Sequence, residues 1–347
     1  MSSGITVCHL SLGCDSTMTN FERPNSPRSI GLVFSGGGGK GAYEIGVWKA
    51  LDHFGITPNI GGVSGASVGA LNAALFAQGD LATAEAVWRS ISPEAVMTLN
   101  GPISGLQRFL DLFDKDLDKW LQEYLSNRGI LSKDGLSRLI QEYIQADLMR
   151  TFCGPVYVAA YNLTRKQLEY FDLLETRSLD ELEYQLLASA SIPMIFGETY
   201  LNDDIYLDGG IPVIGDNTPV LPLYQHGFRR LIVVHLSREA PVDRMRFPGC
   251  DIIEITPIDD LGDLFSGTMN FNQQKVQLLI ERGFRDAYQV LEPLLHIHSI
   301  QKETKRILQD RIALSTQSAA LHQQRKEEWQ IGNQKINQLL DNLEKRR

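Results

Sequence analysis

Three short groups of residues in this chain have the types and spacing to do chemistry. Gly65-Ala66-Ser67-Val68-Gly69 follows the apolar run Ile60-Gly61-Gly62-Val63 and opens a helical pattern. A serine framed by glycines at such a junction fits an elbow, the tight strand-to-helix turn that pushes a nucleophilic hydroxyl into the open. The helix N-terminus behind Ser67 carries partial positive charge, which favours a developing anion. Gly36-Gly37-Gly38-Gly39-Lys40-Gly41 stands straight after the apolar run Ile30–Phe34. Consecutive glycines leave backbone N–H groups bare, able to face the negative oxygen of a tetrahedral intermediate. Asp208, which ends a strand-like run and is followed by Gly209-Gly210, is the candidate base for the serine proton.

Each group has a competing reading. Gly36-x-Gly38-x-x-Gly41 formally matches a dinucleotide fingerprint, but that reading wants an acidic residue about 20 positions on, and 59–63 offers none. A phosphate-binding loop of the Gly-Lys-Ser/Thr kind fails because Gly41 follows Lys40. Asp-Gly-Gly is by itself a common turn. Of the seven histidines, His235 ends the 231–234 run on the same sheet edge and His226 also follows Asp208; the order Ser67, Asp208, His235 would satisfy a Ser-Asp-His triad. Asp203-Asp204 and Asp259-Asp260 lack the ordered oxygen spacing of a calcium loop, so no metal site and no cofactor are expected.

The elements that must position these groups read as follows. Ile30–Phe34 and 60–63 are short strands, each followed by a helical pattern, one to about Phe54 and one over 66–77. Strand, helix, strand, helix in this order predicts a parallel sheet covered on both faces, and parallel strands deliver both glycine-rich loops to the same sheet edge. Residues 80–150 read as mostly helical, with Leu106, Phe109, Leu110 and Phe113 forming an apolar stripe that suits a core helix or a lid. Residues 155–161 have buried-strand composition and pair with Gln167–Asp172; Leu179–Ser189 is a helix. Thr199–Leu201 and 205–207 flank a hairpin turn at Asn202-Asp203-Asp204, and 231–234 and 252–255 are further strands. From about Phe271 the pattern is helical to the end. Ile300, Ile307, Leu314 and Leu321 are spaced by seven there, which suits a coiled-coil or docking segment.

The bulk numbers bound the class. At 347 residues, with 43% apolar and 22% charged residues, the chain has the composition of a globular protein with a sizeable core. A net charge of -9 argues against a nucleic-acid partner, although residues 298–347 hold 10 Lys/Arg against 6 Asp/Glu. Cys8, Cys14, Cys153 and Cys250 show no paired spacing, which points to a reducing compartment rather than a disulfide framework. Neither a leader pattern nor an apolar run of about 18 residues is visible, so a cytoplasmic location with peripheral membrane contact is expected. The expected organisation is a polar arm over 1–28, one α/β domain over 29–297 and a helical tail over 298–347.

Taken together and in order, Gly-Gly-Gly-Gly-Lys-Gly, Gly-Ala-Ser-Val-Gly-Ala-Leu-Asn-Ala-Ala and Asp-Gly-Gly resemble the patatin-like phospholipase family, as does Ala188-Ser-Ala-Ser-Ile-Pro193. The resemblance runs over about 30–214. It implies a three-layer α/β sandwich with a mostly parallel central sheet and a helical C-terminal extension. It also implies a Ser67–Asp208 dyad acting through an acyl-enzyme, with an oxyanion hole from the backbone of Gly36, Gly37 and Gly38. Lys40 occupies the family's Arg/Lys position and would orient the loop, with Gly39, Gly41, Gly65, Gly69, Gly209 and Gly210 in support. The activity implied is a phospholipase A or lysophospholipase acting on membrane phospholipids. Bacterial members that this chain resembles include injected toxins, secreted without a signal peptide, and anti-phage effectors; such members are held inactive until an activating ligand, protein or self-assembly releases them. A non-catalytic lipid- or partner-binding module is the reading from a different class.

Overall fold

The computed structural model describes residues 29–92, 98–99, 131–192, 196–238 and 241–344. The expected arm over 1–28 and the apolar stripe over 106–113 lie outside the described residues. The first half of the chain runs β1 (Ile30–Phe34), α1 (Ala42–His53), β2 (Ile60–Ala66), α2 (Val68–Ala77), α3 (Leu81–Ser90), β3 (Thr98–Leu99), β4 (Leu131–Ser132), α4 (Asp134–Tyr143) and α5 (Ala146–Met149). It continues with β5 (Val156–Asn162), β6 (Gln167–Asp172), α6 (Leu179–Ser189), β7 (Thr199–Leu201), β8 (Asp204–Asp208), α7 (Leu221–His226), β9 (Arg230–Val234), β10 (Asp251–Ile255) and α8 (Gln273–Glu344).

The central sheet has the order β10-β9-β1-β2-β5-β8-β7, and β6 also pairs with β5. The run from β10 to β5 is parallel, whereas β8, β7 and β6 join antiparallel. The expected three-layer, mostly parallel α/β fold is thus present. Every residue of β2 is buried, as a parallel strand covered on both faces must be. The alternation along β1 shows the two covering layers. Val33 packs in a cluster with Leu223 of α7, while its neighbour Phe34 meets the ring of Phe76 on α2 at 6.3 Å.

The register of β5 carries the consequence for chemistry. β6 occupies one edge of β5 along Tyr157–Asn162, so β2 and β8 must share the other edge. On that edge Ala66 of β2 lies opposite Ala159, and Asp208 of β8 lies opposite the next residue, Ala160. β2 runs parallel to β5 and β8 antiparallel, so the two strands meet head on. The chain leaves β2 at Ser67, and β8 ends at Asp208. Strand register alone therefore sets the two residues side by side. The hairpin feeding β8 turns through Asn202 and Asp203, both with positive φ (50° and 66°), as a two-residue hairpin requires.

The start of α8 closes the domain with Val276, Leu279 and Ile280 buried, and Asp286 accepts a hydrogen bond from the Tyr43 hydroxyl of α1 at 3.2 Å. The chain divides into two compact units, one to Gln289 and one from Val290. Within the second, Ile300, Ile307, Leu314 and Leu321 are all exposed on one continuous helix. No helix among the described residues is long and apolar enough to cross a membrane.

Candidate active site

Ser67 stands where β2 becomes α2. Its backbone has φ 54° and ψ -124°, a region that residues with a side chain adopt only when the surroundings impose it. The imposition is visible. A Cβ on Gly65 would sit 2.1 Å from the Gly69 carbonyl oxygen, so the turn closes on itself with no room for a side chain. The Ser67 N–H donates to Ser189 Oγ at 3.0 Å, which holds the elbow from the side. The side chain is 5% exposed, at the N-terminus of a ten-residue helix.

Asp208 is 4% exposed. Its N–H donates to the Ser191 carbonyl at 2.9 Å, and the following Gly209 N–H donates to the Ser189 carbonyl at 3.3 Å. Oδ1 accepts the Gly210 N–H at 2.7 Å. Oδ2 has no partner at full hydrogen-bond geometry, although the Ser67 hydroxyl is close enough to stabilise the charged carboxylate somewhat. Burial dominates nonetheless and pushes the carboxyl up to about 7, against the pull of Ser67 and Gly210. A carboxylate with a free oxygen beside a hydroxyl and a pKa near neutrality is suited to accepting that hydroxyl's proton.

The glycine loop lies against both residues. Asn217 clamps it: the Gly36 N–H donates to the Asn217 carbonyl at 3.0 Å, and Asn217 Nδ2 returns a bond to the Gly36 carbonyl at 3.2 Å. This bears on one expectation: in this structure the Gly36 N–H, expected as an oxyanion donor, is engaged by the Asn217 carbonyl. Among the described residues the N–H groups of Gly37 and Gly38 have no such acceptor. Gly38 has φ +57°, and a Cβ there would strike the Thr268 carbonyl oxygen at 2.3 Å. The loop is therefore backed by the turn at Leu264–Thr268, against which the Lys40 side chain also runs, within 2.5 Å of a Cβ placed on Gly267.

A buried acid network joins the far end of the loop to the helices. Asn72 Nδ2 donates to Glu44 Oε2 at 2.7 Å and to the Gly41 carbonyl at 3.0 Å, while Trp88 Nε1 donates to Asn72 Oδ1 at 2.9 Å. Burial drives the Glu44 carboxyl well above the usual range, outweighing its hydrogen bonds to Asn72 and the Ser35 backbone. Beside Ser67 opens an apolar cavity of about 90 Å³, walled by Leu71 and Leu75 of α2, Trp88 of α3, and Leu136 and Ile140 of α4.

His235 is not brought to Ser67 and Asp208: its Nε2 meets Glu254 Oε2 at 3.0 Å. His226 instead faces the Tyr157 hydroxyl at 3.1 Å, and its ring stacks on Phe228. Asp204 is paired with Arg165 at 2.7 Å and Asp259 with Arg285 at 3.0 Å. Ser189, Ser191, Asn217 and Glu44 escaped the sequence reading as site residues. Ser189 and Ser191 stand in the motif at 188–193, where their job as a strap across both candidate catalytic residues could have been suspected. Nothing local marks Asn217.

The profile of the family described as Patatin-like phospholipase matches residues 32–224. Among curated proteins, the chain is 27% identical over 210 residues to Lysophospholipase NTE1 of Cryptococcus neoformans var. neoformans serotype D, covering 60% of this chain and 11% of that protein. It is 27% identical over 213 residues to Lysophospholipase NTE1 of Candida glabrata, covering 61% and 11%. The chain thus matches about a tenth of the length of these relatives. Among solved structures, VipD from Legionella pneumophila aligns with a TM-score of 0.45 and 16% identity over 77% of this chain and 67% of that one. Human GIVD cytosolic phospholipase A2 aligns with a TM-score of 0.44 and 10% identity over 77% and 58%. The profile match covers more than half of the chain, includes Ser67 and Asp208, and shows that the chain belongs to the patatin-like phospholipase family.

Proposed function

We propose that this chain is a lipid acyl hydrolase that cleaves fatty-acyl esters of phospholipids or lysophospholipids through Ser67 and Asp208. The observation that carries the reading is the head-on meeting of β2 and β8 along β5, which sets a strained serine beside a half-satisfied carboxylate at an apolar cavity. In this mechanism Asp208 Oδ2 takes the Ser67 hydroxyl proton as Oγ attacks the ester carbonyl. The N–H groups of Gly37 and Gly38 hold the oxyanion, with the α2 N-terminus adding its partial charge. Collapse breaks the C–O bond, and the glycerol oxygen leaves with the proton from Asp208. Water then attacks the acyl-enzyme, giving its proton to Asp208, and the fatty acid departs as Ser67 recovers its proton. Membrane phospholipids are the substrate in this reading, reached at the membrane surface.

Purified protein given mixed phospholipid and lysophospholipid vesicles is expected to release fatty acid. A folded protein that released none under any activating condition, and whose Ser67 did not react with a fluorophosphonate, would instead be a binding module. A second outcome tests the cavity as the acyl site. Ile140→Trp fills it from α4, away from Ser67. Turnover of long-chain esters is expected to fall at least tenfold while a soluble butyrate ester changes less than threefold; equal losses on both would remove the cavity from the reading.

Regulation belongs to the same proposal, because an unrestrained lipid hydrolase damages the membranes around it. The exposed apolar positions of the helix beyond Val290 suit self-association or an activating partner. Deleting 298–347 is expected to change the oligomeric state or the response to activator, as read by light scattering and vesicle assay. No change in either would take the tail out of regulation.

A further inference from the structure

Lys133 stands between β4 and α4, with its amine turned into the protein. Nζ donates to Ser191 Oγ at 2.8 Å and to Thr199 Oγ1 at 2.5 Å, and those two hydroxyls are 2.6 Å apart. Ser191 and Thr199 are 0% and 4% exposed, so the amine is committed to a buried polar cluster. The Ser191 hydroxyl donates its own hydrogen bond to the Leu187 carbonyl at 2.6 Å. The donors can then be counted. Thr199 donates to Ser191, Ser191 donates to Leu187, and each hydroxyl accepts one N–H from Lys133. Two N–H groups complete the cluster, which is what a neutral amine has; an ammonium would have one to spare. Burial accordingly holds the amine down to about 7, against the charge of Glu198, which favours the ammonium form.

What the cluster grips matters more than its charge. Ser191 gives its carbonyl to the Asp208 N–H, and Ser189, two residues before it, receives the Ser67 N–H on Oγ and the Gly209 N–H on its carbonyl. Residues 189–191 are thus a strap over both halves of the dyad. Lys133 reaches the strap from the start of α4, the helix that also walls the cavity through Leu136 and Ile140. Thr199 ties the same point to β7, which pairs with β8 and so holds the strand that ends at Asp208.

We infer that Lys133 is a positioning residue for the hydrolase reaction, fixing through Ser191 and Thr199 the strap that aligns Ser67 with Asp208 and coupling that strap to the cavity wall. This rests on the Ser–Asp reading above. It touches neither the ester nor the reacting atoms, and its effect passes through the 189–191 backbone. A lost grip therefore slows acylation without weakening the hold on the acyl chain.

The test is a double-mutant cycle on a soluble short-chain ester, with the rate of Ser67 inactivation by a fluorophosphonate as a second readout. Lys133→Met is expected to lower kcat and the inactivation rate 10- to 100-fold, with KM within threefold and the melting temperature unchanged or raised. Ser191→Ala is expected to lose a similar factor, and the double variant no more than the worse single. Lys133→Arg, which keeps N–H donors at that position, is expected to recover part of the Lys133→Met loss. Rates within threefold of wild type for Lys133→Met, or losses that multiply in the double variant, overturn the inference. If Lys133→Met does not fold, Lys133→Gln and Thr199→Val enter the cycle with the same criteria. Asp208→Asn assayed alongside separates the two levels. Its full activity would sink the dyad, whereas its inactivity with an unaffected Lys133→Met sinks only the strap.

Discussion

Ser67→Ala is expected to reduce fatty-acid release by a factor on the order of 10⁴ or more, because removing a covalent nucleophile leaves only residual binding and oxyanion stabilisation. Fluorophosphonate labelling should disappear with it. The loss is chemical rather than structural. Alanine has a Cβ as serine does, so the backbone at φ 54° is no more strained than before. Ser67→Gly makes the separation sharper. Glycine adopts that conformation freely, and relief of strain of about 1 kcal/mol should raise the melting temperature while activity stays abolished. Thermal melts and vesicle assays on the same preparations check both halves. Residual turnover in either variant within a hundredfold of wild type would exclude Ser67 as the nucleophile.

Asp208→Asn is expected to act in opposite directions on activity and stability. The amide cannot take the serine proton, and turnover should fall at least a thousandfold, as loss of a general base that acts as a unit with its nucleophile does at order-of-magnitude level. Stability should rise at high pH, for the following reason. The carboxyl is raised from 3.8 to about 7 in the folded protein, so between those values the folded state holds a proton that the unfolded state has lost. Stability from this group is fully present below pH 3.8 and falls as pH rises to about 7; above that the whole cost of the buried charge is carried. That cost is on the order of a few kcal/mol at 1.36 kcal/mol per pKa unit, reduced in the variant by the amide's own unpartnered donor. Melting curves of wild type and Asp208→Asn should therefore converge near pH 4 and separate toward pH 8, with the variant the more stable. In the wild type, kcat/KM should climb through about pH 7 as Asp208 loses its proton. Parallel melting curves across that range would show that Asp208 is not a buried charge.

Much of this site is legible in the chain itself. Gly65, Ser67 and Gly69 announce the elbow because a strand, a tight turn and a helix leave a local pattern. The same is true of the hairpin at Asn202-Asp203, whose positive φ values suit those residue types. The sheet's parallel strands are legible as short apolar runs after which helices begin. What escapes is everything decided by contacts distant in sequence. Gly36 looks like its neighbours as an oxyanion donor, and only Asn217, 181 residues away, takes its N–H out of use. Glu44 carries no local sign of its environment, yet it is wholly buried under the loop with Asn72. Lys133 falls between short elements with no periodicity, so its turn inward to Ser191 and Thr199 has no local signature. Even the meeting of Ser67 with Asp208 is a matter of register: composition shows that β2, β5 and β8 are strands but not that two of them share one edge of the third.

That shared edge has a bearing on the life of the chain as it is made. Ser67 leaves the ribosome some 140 residues before Asp208, and β5 and α6 come between them. The elbow can form early, but its strap and its base are not yet synthesised. On the dyad reading, a nascent chain is chemically inert until β8 has docked against Ala160. Translation products ending before residue 208 lack the base and are, on the same reading, expected to be inactive. On that reading, any capacity for ester hydrolysis is acquired only once the chain has been made through residue 208 and β8 has been threaded into place.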